Sequence, residues 1–114
     1  MPEGIYPQPS KEVASRRREL APNVQAAWVA FSKSVFADGA LPTKTKQLVA
    51  VAVAHVTQCP YCIQGHTKGA LRYGATKQEI REAIWVAAEI RAGGTYAHSL
   101  ISLAAMDQEH GQSA

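Results

Sequence analysis

The chain has 114 residues, of which 46% are hydrophobic and 18% are charged, and its formal net charge at pH 7 is +3. This composition predicts one folded domain over residues 1–114 and excludes a largely disordered chain. The few basic residues are scattered, so nucleic acid is not an expected partner. No apolar run reaches the ~18 residues of a membrane span, and no export signal is visible, so we expect a cytoplasmic protein without a membrane partner.

The first third of the chain predicts an arm and two helices. Three prolines indicate an extended N-terminal arm over residues 1–10, which either packs on a partner subunit or forms a loose tail. Ser10 suits the N-cap of a short polar helix that ends near residue 20. Pro22 suits the first turn of a second helix. The apolar side chains of that helix recur at helical spacing, at Val24, Trp28, Phe31 and Val35.

The next segment, residues 44–58, allows two interpretations. Valine and alanine alternate over residues 49–54, which superficially suggests a strand. Alanine is itself apolar, however, so polar and apolar residues do not alternate there. Leu48, Ala52 and Val56 share one face of a helix equally well. We therefore predict a buried helix.

Helix signals continue to the end of the chain. Gly74 suits the position just after a helix that ends near residue 73. Thr76 and Glu79 have the spacing of a capping box at the start of the next helix. The glycine pair at residues 93–94 predicts a break, followed by a last helix over residues 95–109. The sequence thus predicts an all-α bundle of about five to six helices.

The residues that carry chemistry lie within residues 55–66, which hold both cysteines and two of the four histidines. Cys59 and Cys62 are two residues apart, and there is no second cysteine pair to complete a zinc site. Such a pair is typical of thiol redox chemistry. In a reducing cytoplasm it would act as a redox centre rather than as a structural crosslink. Pro60 suits the first turn of a helix that begins at Cys59.

Local physics leaves two candidates for the attacking thiolate. A helix N-terminus offers unpaired N–H groups and a partial positive charge, which favour a thiolate at Cys59. His66 follows Cys62 by four residues and could accept its proton. Whichever sulfur attacks first, the other can then close an intramolecular disulfide. His55, one helical turn before Cys59, is a further candidate site residue.

Two rival interpretations of this stretch are weaker. Four of its side chains are good zinc ligands: His55, Cys59, Cys62 and His66. The two histidines would lie about 16 Å apart along a continuous helix, so no metal is expected unless the chain bends sharply near Pro60 or a second subunit completes a partial site. The tetrapeptide CPYC also occurs in glutaredoxins, but that fold has a mixed sheet and a downstream cis-proline. Here Pro60 is the last proline, and no convincing strand follows it.

Three stretches of the sequence resemble the AhpD-like alkylhydroperoxidase core of the carboxymuconolactone decarboxylase superfamily. They are residues 46–55 (KQLVAVAVAH), 59–67 (CPYCIQGHT) and 74–80 (GATKQEI), and the resemblance covers about residues 42–100. It implies an all-helical homotrimer or homohexamer with a peroxidase-type dithiol centre. It also implies a hydroperoxide or disulfide substrate and a separate dithiol electron donor. No flavin, haem or nucleotide motif is visible, so no cofactor is expected.

The resemblance also implies roles for individual residues. In such enzymes the second cysteine attacks the peroxide, the first resolves the intermediate, and a histidine with an upstream glutamate relays protons. Carried over to this chain, Cys62 attacks, Cys59 resolves and His66 relays. The local alternatives for the first attack are thereby decided in favour of Cys62.

One position departs from the family pattern. The family's glutamate, twelve residues before the first cysteine, is replaced by Gln47, whose amide cannot accept a proton at neutral pH. His55 is the leading substitute, with Glu82 and Glu89 as alternatives. A slower thiol oxidoreductase, or a non-catalytic redox sensor or binding protein, would tolerate this replacement better than an efficient peroxidase. The decarboxylases of the superfamily act on a lactone without this dithiol, so its presence argues against that reaction.

Overall fold

The computed structural model describes residues 5–113, and all regular secondary structure in this range is α-helical. Its helices are α1 (Lys11–Leu20), α2 (Pro22–Phe36), α3 (Thr43–Thr57), α4 (Pro60–Arg72) and α5 (Lys77–Ser113). The all-α prediction of about five to six helices is confirmed. Residues 5–10 have no regular structure, and the rest of the predicted arm lies outside the described residues. None of the described helices is both long and apolar enough to cross a bilayer.

The helices fall into two compact units, with α1 and α2 in the first and α3, α4 and α5 in the second. In the first unit, α1 begins where predicted, because the Ser10 hydroxyl accepts the Val13 N–H at 3.2 Å. Pro22 occupies the first turn of α2. The apolar stripe of α2 remains largely exposed in this single chain, with Trp28 61% and Phe31 60% accessible. This unit therefore leaves much of its apolar surface uncovered.

The second unit has a small core between α3, α4 and α5. Its buried members are Val51, Ala70, Ala75 and Ile80, with Leu48 and Ile84 packed against them. Along α3 the buried residues Gln47, Val51 and Ala54 recur every three or four positions. This is the period of a helix, so the valine–alanine alternation belongs to a helix, as predicted, and not to a strand.

Side-chain caps hold the starts of α3 and α5. The Asp38 carboxylate accepts hydrogen bonds from the N–H and hydroxyl of Thr43, at 2.7 and 3.0 Å. The predicted capping box is present: the Thr76 N–H donates to Glu79 at 2.8 Å, and the Glu79 N–H donates to the Thr76 hydroxyl at 3.0 Å. Glu79 also pairs with Lys44 at 3.0 Å, which ties the first turn of α5 to that of α3.

The predicted helix break at residues 93–94 is wrong. Helix α5 continues through both glycines as one element of 37 residues. Among the described residues, positive φ angles occur only at Gln58 and Gly74, so the glycine pair keeps the right-handed helical backbone. Glycine lowers helix propensity without forbidding the conformation, and no proline follows this pair to stop the helix. Gly74, in contrast, has the left-handed φ of 93° that was predicted just after α4.

Replacing Gly94 with alanine is expected to stabilise the protein. Alanine is favoured over glycine in a helix interior by about 0.8–1.0 kcal/mol, and the new Cβ would meet no atom within 4 Å. Gly74→Ala is the matched control, because its positive φ would strain an L residue by roughly 1–2 kcal/mol. Urea unfolding followed by circular dichroism should move the midpoint up for Gly94→Ala and down for Gly74→Ala. A lower midpoint for Gly94→Ala would contradict the continuous helix.

Candidate functional site

Cys59 lies at the junction of α3 and α4, where the chain reverses direction. Helix α3 ends at Gln58, whose left-handed backbone (φ 60°, ψ 43°) turns the chain out of the helix. The Cys59 N–H then donates to the Ala54 carbonyl at 3.2 Å. Pro60 occupies the first turn of α4, and Cys59 is the residue that caps it. Cys59 is thus bound to the end of one helix by its backbone and to the start of the next by its side chain.

A contact from α5 supports the same junction. The Arg91 guanidinium donates to the Val56 carbonyl at 2.8 Å, in the last turn of α3. The last carbonyls of a helix lack partners within it, and a cationic donor there also interacts favourably with the helix dipole. Arg91 therefore helps to define where α3 ends and where Cys59 begins the next helix.

The two cysteines are free thiols in contact with each other. The Cys62 N–H donates to the Cys59 sulfur at 3.3 Å. Hydrogen bonds from the Cys62 thiol and then from its N–H, with a smaller one from the Tyr61 N–H, lower the pKa of Cys59. The side-chain hydrogen bond to Cys59, followed by burial and by the charge on Cys59, raises the pKa of Cys62. The pair is therefore asymmetric: Cys59 is the more acidic thiol.

Gln47 and His66 form the second contact of the site. Gln47 is only 9% exposed, and its amide oxygen lies 2.8 Å from Nδ1 of His66. An amide oxygen can only accept, so Nδ1 must carry the proton, and the lone pair of the neutral ring is on Nε2. Gln47 thereby fixes the tautomer and the orientation of His66. It holds the side chain but cannot take a proton from it.

Gly69 makes this contact possible, and it was not predicted as a site residue. It is buried in α4, where a Cβ would lie 2.7 Å from the amide oxygen of Gln47 and 2.9 Å from its amide carbon. Only a residue without a side chain leaves room for Gln47 at this position. The sequence held one signal for this role, namely a glycine in the interior of a predicted helix, away from any turn. Gly65, one turn earlier, carried the same signal but faces open space.

The structure thus brings some of the predicted site residues together. It joins Gln47 to His66 across α3 and α4, and Cys59 to Cys62 at the start of α4. Nδ1 of His55 lies 2.7 Å from the Val51 carbonyl of its own helix, and it must donate there because a carbonyl only accepts. Within residues 5–113, no three His, Cys, Asp or Glu side chains are close enough together to hold one metal ion. The catalytic roles of all five residues remain predictions.

Comparison with known proteins identifies the family. Residues 22–105 match the model of the carboxymuconolactone decarboxylase family, which includes α2 as well as the region recognised from sequence. The chain belongs to the carboxymuconolactone decarboxylase family. The resemblance to its AhpD-like core is therefore confirmed.

Two relatives of this chain are named as uncharacterised proteins. An uncharacterised protein of Paracoccus denitrificans, protein 4 in the cox locus, is 63% identical over 89 residues, which are 78% of this chain and 80% of that protein. An uncharacterised protein of Cupriavidus necator is 33% identical over 89 residues, 78% of this chain and 79% of that protein.

Solved structures agree with the fold. A crystal structure from Methanobacterium thermoautotrophicum superposes with a TM-score of 0.68 at 34% identity, covering 73% of this chain and 93% of that one. A carboxymuconolactone decarboxylase family protein from Legionella pneumophila, solved in its apo form, has a TM-score of 0.68 at 28% identity. That match covers 85% of this chain and 87% of the Legionella chain.

Gly69→Ala should remove the contact between Gln47 and His66. The new Cβ would force the Gln47 side chain away, and overpacking of this kind costs about 1–3 kcal/mol of unfolding free energy. Gly65→Ala is the control on the same helix, because its Cβ would meet nothing within 4 Å. Heteronuclear NMR of the imidazole nitrogens should show the Nδ1–H tautomer of His66 in wild type and Gly65→Ala, and a tautomer mixture in Gly69→Ala. An unchanged His66 tautomer in Gly69→Ala would contradict the positioning role of Gln47.

Proposed function

We propose that this protein is a thiol-dependent oxidoreductase that reduces a hydroperoxide or a partner disulfide. It would do so by cycling Cys59 and Cys62 between the dithiol and the disulfide. The observation that carries the proposal is the pair of free thiols at the start of α4, where the Cys62 N–H donates to the Cys59 sulfur. A thiolate stabilised by N–H groups at a helix N-terminus, beside a second thiol, is the arrangement of a redox-active dithiol. Membership of a family that includes enzymes supports the same conclusion.

For a hydroperoxide, the cycle follows the roles that the resemblance implies. His66 accepts the proton of Cys62 at Nε2, and the Cys62 thiolate attacks the terminal oxygen of the peroxide. The O–O bond breaks, the alkoxide takes up a proton and leaves as an alcohol, and Cys62 becomes a sulfenic acid. Cys59 then attacks the Cys62 sulfur and displaces water, which forms the intramolecular disulfide. A separate dithiol donor returns both electrons and both protons.

The proposal includes a homo-oligomer, either a trimer or a hexamer. A soluble monomer rarely leaves large contiguous apolar patches exposed. In this chain large apolar side chains of α5 are more than half exposed, among them Trp85, Ile90, Tyr96, Leu100 and Ile101. Burial of these faces against further copies of the chain would remove them from water, and light scattering in solution would report the copy number.

Gln47 favours a second candidate function, a non-catalytic redox sensor. A neutral amide behind His66 holds the imidazole in place but gives its proton no onward acceptor. A dithiol that only has to change state once per oxidation event does not need a fast proton relay. The sensor would form the same disulfide between Cys59 and Cys62 but would not turn over with a dithiol reductant.

Peroxide consumption with a dithiol reductant separates the two functions. We expect wild type to turn over repeatedly, and Cys62→Ser to lose activity because the second sulfur of the pair is gone. Mass spectrometry after one equivalent of oxidant should show an intramolecular bond between Cys59 and Cys62 in wild type. Formation of the bond without repeated turnover would support the sensor. If wild type neither consumes an oxidant nor forms the bond, both functions are wrong.

Gln47→Glu should accelerate peroxide reduction. It introduces a carboxylate in hydrogen-bond range of His66, and general acid–base groups typically contribute a factor of about 10² or more. We expect an increase of about tenfold or more, since burial would keep part of the new carboxyl protonated. Gln64→Glu makes the same change of charge at an exposed position of α4 and should have no effect. Equal rates for wild type and Gln47→Glu would show that the amide does not limit the reaction.

A further inference from the structure

We propose that the preferred oxidised substrate of this site is a disulfide, and that Cys59 makes the first attack while Cys62 resolves the mixed disulfide. This inference rests on the proposed dithiol function and names its substrate class. It reverses the order of attack that the family resemblance implies for a hydroperoxide. The geometry that points to it is the position of Cys59 as the N-cap of α4, where its sulfur accepts the Cys62 N–H.

The surroundings of Cys59 favour a negative charge on its sulfur. Its sulfur caps α4 and accepts the Cys62 N–H at 3.3 Å. The Cys62 thiol and the Tyr61 N–H donate to the same sulfur and lower its pKa. These donors all stabilise a negative charge on sulfur, as does the dipole of α4. Cys59 is therefore the thiol of the pair that ionises more readily. Its flanking residues Gln58, Pro60 and Tyr61 are exposed, so a partner's disulfide can approach this end of the helix.

The surroundings of Cys62 disfavour its ionisation. Its thiol hydrogen is engaged with Cys59, and this bond together with burial raises its pKa. Before Cys62 could attack a peroxide, it would have to lose this proton beside a sulfur that ionises more readily, and a charge on that sulfur opposes the loss. His66, four residues further along α4, has its Nδ1 held by a neutral amide rather than by a carboxylate. Without that carboxylate the imidazolium is stabilised less, so the first deprotonation of Cys62 is costly.

Reduction of a hydroperoxide and reduction of a disulfide differ in their leaving groups. Reduction of a hydroperoxide releases an alkoxide, a strong base that must be protonated as it leaves. Disulfide exchange releases a thiolate, whose parent thiol titrates near ~8.5, so it departs without an acid catalyst. Because the amide of Gln47 cannot accept a proton from His66, the rate of disulfide reduction should fall little. The rate of hydroperoxide reduction should fall much more.

The reaction balances with a substrate disulfide as oxidant. The Cys59 thiolate attacks one substrate sulfur, the substrate S–S bond breaks, and the released thiolate takes a proton from water. Cys59 is now neutral in a mixed disulfide, so its charge no longer opposes ionisation of Cys62. His66 accepts the Cys62 proton at Nε2, and the Cys62 thiolate attacks the Cys59 sulfur and expels the second substrate thiolate. Two electrons have moved from the protein dithiol to the substrate, and a dithiol donor restores them.

Single-cysteine variants test the order of attack. The probe is an aromatic disulfide, 5,5′-dithiobis(2-nitrobenzoate), followed by the absorbance of its released thiolate in stopped flow. Cys62→Ser keeps the backbone donor to Cys59 and replaces the thiol with a hydroxyl that can still donate. We expect it to react about three- to tenfold faster than Cys59→Ser, since lower pKa raises the thiolate fraction more than it reduces nucleophilicity. The ratio should shrink as the pH rises towards values at which both thiols are ionised, because the difference in thiolate fraction then disappears.

The wild-type protein gives an independent readout if either variant fails to fold. Limiting iodoacetamide near neutral pH, followed by peptide mapping, should label Cys59 before Cys62. The second-order rate constant of the reduced protein should also be larger with the probe disulfide than with cumene hydroperoxide. Faster reaction of Cys59→Ser, preferential labelling of Cys62, or a faster reaction with the hydroperoxide would each overturn the inference while leaving the dithiol function intact. If the wild-type dithiol reacts with neither oxidant, the proposed function itself fails.

Discussion

The hydrogen bond between the Gln47 amide and His66 depends on how closely α3 and α4 approach each other. Two buried small residues in succession, Gly69 and Ala70, let the helices meet without intervening side chains, and Val51 fills the space beside them. The close approach brings Gln47, from the first half of α3, within 2.8 Å of an imidazole on α4. A larger side chain at position 69 would occupy the space of the amide. The core packing and the orientation of the candidate base are therefore set by the same contact.

The sequence predicted the helices best where local chemistry decides the structure. Ser10, the capping box of Thr76 and Glu79, and Gly74 each satisfy backbone groups within a few residues, so their patterns suffice. The glycine pair in α5 misled the prediction because glycine permits a break without requiring one. Whether the helix continues through these glycines depends on interactions along the whole of α5. A short sequence motif cannot predict them.

The candidate site could be predicted only in part for a similar reason. The spacing of Cys59 and Cys62 identified the dithiol, and the resemblance drew attention to Gln47. The role of Gly69 escaped prediction, because it arises from a contact between residues 22 positions apart in the chain. The resemblance assigned the first attack to Cys62, whereas the donors around the start of α4 favour charge on Cys59. Local physics had left both possibilities open, and only the placement of individual donors distinguishes them.

The capping of α4 by a sulfur has a consequence for the redox potential of the pair. The hydrogen bonds to Cys59 stabilise the reduced, charged form, and a disulfide sulfur is a much weaker acceptor of the same bonds. Stabilising the reduced state makes the corresponding disulfide more oxidising. Helix α4 therefore loses part of its N-terminal cap whenever the pair is oxidised, and it regains that cap on reduction. The protein would be a mild reductant whose disulfide a dithiol donor easily reduces again. It would suit partners whose own disulfides are strained or exposed.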